Sequence, residues 1–277
     1  MSKELSSVAK KEFDMEVKQA YQGTGILRTC VTVRNNVVGD TYNFRKMGKG
    51  LANQKSTSDL VTPMDVSHDL IPAILENWNA PEYTDIFDQQ TVNFDERREL
   101  ASAIAKALGR RLDQIVIDSM DASTPSIPDI NVATNLSVDV LILASTALTD
   151  KGVPNDGRRC FAINADGLGG LLTDETATSS DFAAIKALVK GDLDSYMGFT
   201  FKIIETRDEG GLQVNANIVD SWAFHQDAVG LAIGIDLKTS VDWVPERTSW
   251  LSNGMMKAGA AIRDLDGLVR VQYDGTA

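Results

Sequence analysis

Two histidines, two cysteines and a few glycine- or aspartate-rich turns are the residues in this chain best suited to chemistry. A zinc centre or a serine–histidine–aspartate relay draws on several such side chains at set spacings. His68 and His225 stand far apart, neither with a partner at metal-ligand spacing, so both read as structural. Cys30 and Cys160 cannot be paired from sequence alone. They read as reduced, buried or half-buried thiols of a protein made in a cytoplasm. ADGLGGL at 165–171 follows a strand-like segment, as a phosphate-binding turn would, but Gly167, Gly169 and Gly170 do not fit G-x-G-x-x-G. MGKG at 47–50 has a Gly-Lys without the upstream glycine of a P-loop. DLDG at 264–267 resembles the start of a calcium loop, but the closing glutamate is missing. A hairpin turning at Asp266–Gly267 is the better reading. Asp118 and Asp121, three apart on one helix face, read as solvated carboxylates and not as an acid pair. The expectation is no catalytic residue, no cofactor-binding residue and no metal ligand.

The elements that would have to position any site are more informative. At 277 residues the chain has room for one large domain or two modest ones, and 43% hydrophobic with 24% charged residues is ordinary for a folded soluble protein. The net charge of −12 has the wrong sign for gripping phosphate backbones, though it suits enclosing them without sticking. No apolar run approaches the ~20 residues of a membrane span, and the first residues lack the apolar core of a signal peptide.

Phe13, Val17 and Tyr21 place a short amphipathic helix at 8–21, read as an N-terminal arm. From Cys30 to Phe44 the pattern has period two. It stops over the polar stretch 46–63, then resumes with Met64, Val66, His68, Leu70 and Ile74 opposite Asp65, Ser67 and Asp69. Two alternating runs around a long polar tip describe an extended β-ribbon. Such a ribbon is marginal alone, so it should lean on something else, another chain included.

Residues 93–122 read as one helix of about thirty residues and roughly 45 Å. Asn93 and Glu96 form its capping box. Ala101, Ile104, Ala105, Leu108, Leu112, Ile115 and Met120 mark the buried stripe. Ala101, Ala105 and Gly109 make a narrow row of small residues. Glycine inside a helix costs about 1 kcal/mol, which close approach of a neighbouring element would justify. A Pro/Ser/Asn-rich linker at 123–137 is the candidate domain boundary. Beyond it come a helix ending at Gly152, a strand at RRCFAI with a Gly-rich turn into a short helix, a helix from about Asp181, and strands at GFTFKII and through DSWAFHQDAVGLAIG. That mixture predicts an α/β second domain.

The block TPMDVSHDLIPAILENWNAPEYTDIFDQQTVNFDERRELASAIAKALGRRLDQIVIDSM (62–120) resembles the major capsid proteins of tailed bacteriophages, closest to those of short-tailed phages. The resemblance continues in WAFHQDAVGLAIGIDLKTSVDW and covers nearly the whole chain from about residue 10. It implies an α+β chain with the Hong Kong 97-type (Johnson) capsid fold. Its parts would be an N-terminal arm at 1–37, the extended β-ribbon loop at 38–78, and a peripheral domain at 79–135 built on spine helix 93–122. An axial domain at 136–230 and a return to the peripheral domain at 231–277 would complete it.

The function implied is a major capsid protein that assembles with itself as hexamers and pentamers into an icosahedral head. That head encloses double-stranded DNA without sequence-specific binding, with no membrane involved. The virion is its destination and the host bacterial cytoplasm its place of assembly. A portal protein is an implied partner, with a decoration or cement protein as an optional one. Members with a built-in scaffold carry a long extension ahead of the arm, whereas this chain starts almost at the arm. A separate scaffolding protein is thus implied, unless the start is a processed one. A few members cross-link a ribbon lysine to a neighbour's asparagine; Lys46, Lys49 and Lys55 are available, but no cross-link is expected. The rival readings are an encapsulin-type bacterial compartment shell and, from another class, a cytosolic α/β enzyme with a site near Asp166–Gly170.

Overall fold

The computed structural model describes residues 24–85, 96–173, 197–205 and 207–275. In chain order they carry β1 (Thr32–Arg34), β2 (Thr41–Met47), β3 (His68–Ile74), β4 (Glu76–Asp85), α1 (Glu96–Asp121), β5 (Asp129–Asn131), α2 (Val138–Asp150) and β6 (Arg159–Ile163). There follow α3 (Ala165–Thr173), β7 (Phe199–Ile203), β8 (Val214–Asn215), β9 (Ile218–His225), β10 (Val229–Val244), β11 (Ser249–Ile262) and β12 (Leu268–Asp274). The expected helices at 8–21 and from Asp181, and the cap at Asn93, lie outside the described residues.

Helix α1 runs 26 residues without interruption. Ile104, Leu108, Leu112, Val116, Ile117 and Met120 are its buried apolar side chains, mostly at three- and four-residue steps. Val116 and Ile117 extend the expected stripe, while Ile115 is only partly buried against the core. The helix lies on a four-stranded sheet of order β1-β10-β11-β4, in which only the β1–β10 pair is parallel. Gly254 of β11 leaves the room that Ile104 and Leu108 occupy; a Cβ there would run into Ile104.

A six-stranded sheet forms the second layer system, with path β5-β12-β9-β6-β7 and β8 on β9. Its central strands are buried on both faces: every residue of β6, and all of β9 after Ile218. Phe161 packs between Phe199 and Phe201, with ring centroids 5.5 and 5.7 Å away. Arg159 is fully buried at the C-terminal end of α2. Its guanidinium donates to the carbonyls of Val153 (2.6 Å) and Pro154 (3.1 Å) and to the hydroxyls of Ser145 (3.2 Å) and Thr149 (3.1 Å). These are the carbonyl-rich surroundings a cation finds at a helix C-terminus. Burial lowers its pKa, with Asp156 opposing.

Three expectations are corrected here. The tail is not a hairpin: β12 pairs with β9 and β5, whereas β11 stays in the other sheet. After Ile262 the amide of Arg263 donates to the carbonyl of Ala228 (2.7 Å), which draws the chain across the start of β10. Gly267 passes so close that a Cβ would stand 2.7 Å from that of Ala228. The tight spot demands glycine, not a primed turn. Second, residues 129–131 of the presumed linker form β5, parallel to β12. Third, the expected short helix α3 already begins at Ala165, so ADGLGGL is helix and not a Gly-rich turn ahead of it.

The ribbon is the two-stranded pair β2–β3, Thr41 opposite Ile74 and Met47 opposite His68. One face carries Phe44 and Ala73, which with Leu75, Ala232 and Ala261 make a separate small cluster on the four-stranded sheet. Gly230 admits the Phe44 ring; a Cβ there would meet it at 2.7 Å.

Candidate assembly surfaces

The residues considered for chemistry are dispersed and mostly occupied. Just before α3, Asn164 Oδ1 accepts from the Gly167 amide (2.9 Å) and the Tyr273 hydroxyl (2.7 Å), while Asn164 Nδ2 donates to Asp166 (2.7 Å). Gly167 lies beneath the Tyr273 hydroxyl and Gly170 against Asn135. These glycines permit helix packing, and no phosphate cradle is formed at Asp166–Gly170. His225 is buried, its Nδ1 accepting from the Asp227 amide (3.2 Å), so Nε2 donates to Asp156 (3.1 Å). Arg158 beside it holds the Asp156 carboxyl far below the usual range, with His225 adding to this. His68 is exposed at the end of β3. Cys30 and Cys160 are free and buried. Their mutual hydrogen bond, together with burial, pushes the Cys160 thiol up. Asp118 is exposed and accepts from Gln114 (2.6 Å). Asp121 differs: burial first, then Asp220 and Asp118, raise it to about 6. Among the described residues, no three His, Cys, Asp or Glu side chains group as a metal site.

A cavity of about 200 Å³ lies where the tip end of the ribbon meets the body, lined by Lys49, Lys151, His225, Asp264 and Asp266 among others. Lys46 pairs with Asp264 (2.9 Å), Lys49 with Asp266 (3.4 Å), and Lys257 with Asp40 (2.6 Å). Exposed pairs of this kind each contribute at most about 1 kcal/mol. They orient the ribbon more than they hold it.

Several apolar side chains of the ribbon stand exposed among its polar ones. Leu70 is 64% and Ile74 69% exposed on its outer face, and Leu60 is 93% exposed on the tip, near Leu51, Val61 and Met64. The side expected to be apolar therefore faces outward. A second apolar group sits at the far end of the β10–β11 hairpin. Trp243 packs edge-on against Trp250 (5.3 Å), and the Arg247 guanidinium lies 4.6 Å over the Tyr83 ring.

The segment before β1 is seated on the middle of α1. Gly25 and Gly109 meet backbone to backbone: a Cβ on Gly25 would lie 2.6 Å from the Gly109 carbonyl oxygen. That is the close approach which Gly109 anticipated. One turn on, the buried Asp113 carboxylate accepts from the amides of Ile26 (2.9 Å) and Leu27 (2.9 Å) and from Arg207 Nη2 (2.9 Å). Burial raises its pKa while these three donors pull it down. Sequence reading missed this carboxylate; an aspartate among the apolar positions of a long helix was the available signal.

The same arrangement of spine helix, two sheets and ribbon is found in solved phage capsids. The capsid structure of cyanophage P-SCSP1u matches at TM-score 0.76 and 17% identity, covering 97% of this chain and 94% of that one. The capsid of Ralstonia phage GP4 matches at 0.73 and 9%, covering 98% and 96%. A chain of Mycobacterium phage Che8 matches at 0.70 and 15%, covering 95% and 97%. No curated protein matches the sequence. The fold is the Hong Kong 97-type capsid fold. Residues 5–275 match the phage capsid protein family, and the chain belongs to that family: it is a structural protein of the virion.

Proposed function

We propose that this chain is the major capsid protein, closing with copies of itself as hexamers and pentamers into an icosahedral head around double-stranded DNA. The observation that carries the reading is the ribbon: one face is rooted to the body through Phe44 and Ala73, while Leu70 and Ile74 on the other face and Leu60 on the tip are exposed and find no partner among the described residues. A neighbouring copy supplies that partner. Head-to-tail contacts among identical subunits close into rings when the rotation permits, and many modest contacts per subunit add up to a durable shell. The six-stranded sheet with α2 and α3 serves as the axial domain, and the four-stranded sheet with spine helix α1 as the peripheral one. On this reading residues 129–131 and 268–274, whose strands β5 and β12 pair within the six-stranded sheet, belong with the axial part.

The protein acts without catalysis and without a cofactor. Its net charge of −12 confines packed DNA without adhesion. A scaffolding protein and a portal complete the assembly in the host cytoplasm, with a decoration protein as an optional reinforcement. Negative-stain electron microscopy with light-scattering mass tests the reading on the chain expressed in bacteria, alone and beside its genomic neighbours. Closed polyhedra, rings or tubes are expected. A monodisperse monomer or dimer under every condition would overturn it.

A further inference from the structure

Cys30 and Cys160, free and buried at 1% and 6% exposed, stand at different sheets. Cys30 closes the 3-10 turn Leu27–Cys30 just before β1 of the four-stranded sheet, and Cys160 is the second residue of β6 in the six-stranded one. Alternation along β6 turns Cys160 away from the face that Arg159 presents to α2. Gln226 ties the two neighbourhoods together. Its backbone amide donates to the Arg158 carbonyl (3.0 Å), its carbonyl accepts from the Thr32 hydroxyl (3.1 Å), and its side-chain amide donates to the Val31 carbonyl (3.5 Å). One residue thus grips the chain within two positions of each cysteine, and the two thiols meet in a hydrogen bond. Thiols already in contact reach the ~2.05 Å of a disulfide by turning side chains, with the strands left in place.

We propose that this pair is a modification site: peroxide joins Cys30 and Cys160 as an intrachain disulfide that staples the two sheets together. Cys30 is the attacking sulfur. Contact with Cys160 lowers its pKa, with Thr29 and Lys202 acting the same way against burial, whereas that contact and burial push Cys160 up. The Cys30 thiolate attacks one peroxide oxygen, the O–O bond breaks, and the departing hydroxide takes the proton that Cys30 gave up. The Cys160 sulfur then displaces hydroxide from the Cys30 sulfenic acid. The S–S bond forms, and that hydroxide leaves as water with the Cys160 proton. Two thiols lose two electrons, and peroxide is reduced to two waters. The bond closes a loop of about 130 residues, long enough for a cross-link to restrain the unfolded chain strongly. The pairing does not rest on the shell reading above. Its consequence for the head does: a subunit reduced while it is made is tightened once it leaves a reducing compartment.

The test is peroxide titration of the soluble native chain, followed by thiol counting under denaturation, intact mass and peptide mapping. Both thiols should disappear together, with a mass lower by two hydrogens. One disulfide should link the tryptic peptides that start at Thr29 and at Cys160, and dithiothreitol should reverse it. The oxidised chain should melt about 5 °C or more above the reduced one. Cys160→Ala should instead leave a Cys30 sulfenic acid that dimedone captures, and Cys30→Ala should leave Cys160 unreacted. The native thiol count gives its answer even if neither variant folds. Thiols that persist until the chain is denatured, or disulfides only between chains, would overturn the pairing. A disulfide with no rise in melting temperature would overturn the staple, and a sulfenic acid on Cys160 in Cys30→Ala would overturn the assignment of the attacking sulfur. If the native chain never assembles, the shell reading fails, while the thiol count still judges the pair.

Discussion

The ribbon and the central strands of the six-stranded sheet are both rich in apolar and aromatic residues, yet they end in opposite states. β6 and β9 find cover on both faces within their own chain: helices α2 and α3, the neighbouring strands and the Phe161, Phe199 and Phe201 rings. β2 and β3 find cover on one face only, where Phe44 and Ala73 root them to the body. The other face, with Leu70 and Ile74, stays open. The difference separates residues that stabilise the subunit from residues that wait for a second one. Apolar alternation says that a face will be buried, not by whom.

Mutations should divide along the same line. The largest effect on the fold belongs to Phe161→Ala, which empties space between two rings and should cost about 3–5 kcal/mol in chemical denaturation. Gly230→Ala comes next, at about 1–3 kcal/mol. It should displace Phe44 and raise amide exchange in β2 and β3 more than in β9; a uniform rise would mean that the ribbon root is not a separate unit.

Asp121→Asn should contribute about 1 kcal/mol at neutral pH, once solvent screening at this partly exposed site is allowed for. The sign follows from a folded pKa of about 6, raised above the ordinary 3.8. The protonated form suits the fold, so this stabilisation is complete at acid pH and lost as pH rises through 6. The native chain should therefore lose stability relative to the variant between about pH 4 and pH 7. Parallel curves would contradict the assignment.

Smallest for the fold is Leu70→Asp, within about 0.5 kcal/mol of the native chain in denaturation. The same change should abolish particles in electron microscopy. A subunit that unfolds with this substitution would erase the contrast drawn here, and one that still assembles would mean that another face carries the contact.

The long helix and the ribbon were legible because both are written in local periodicity: three- and four-residue steps through Ile104, Leu108 and Leu112, and steps of two through Tyr42 and Phe44. Gly109 even announced that something would press close, though not that the presser would be Gly25. What escaped depends on pairings between distant residues. Asp266–Gly267 has the composition of a hairpin turn; only the bond from Arg263 to Ala228 sends β12 to the other sheet. The glycines of α3 looked like loop residues because the side chains that need their space, Tyr273 and Asn135, come from elsewhere in the chain. Asp113 reads as one more helix charge until Ile26 and Arg207 are brought to it.

The seat of the N-terminal segment also imposes a schedule on the ribosome. Thr24 precedes Arg207 by 183 residues, so the first part of the chain to emerge is among the last to find its place. At ~5–20 residues per second that interval lasts about 10–40 s. Until then Leu27, Cys30 and Val31, all buried in the finished subunit, lack part of the pocket that encloses them.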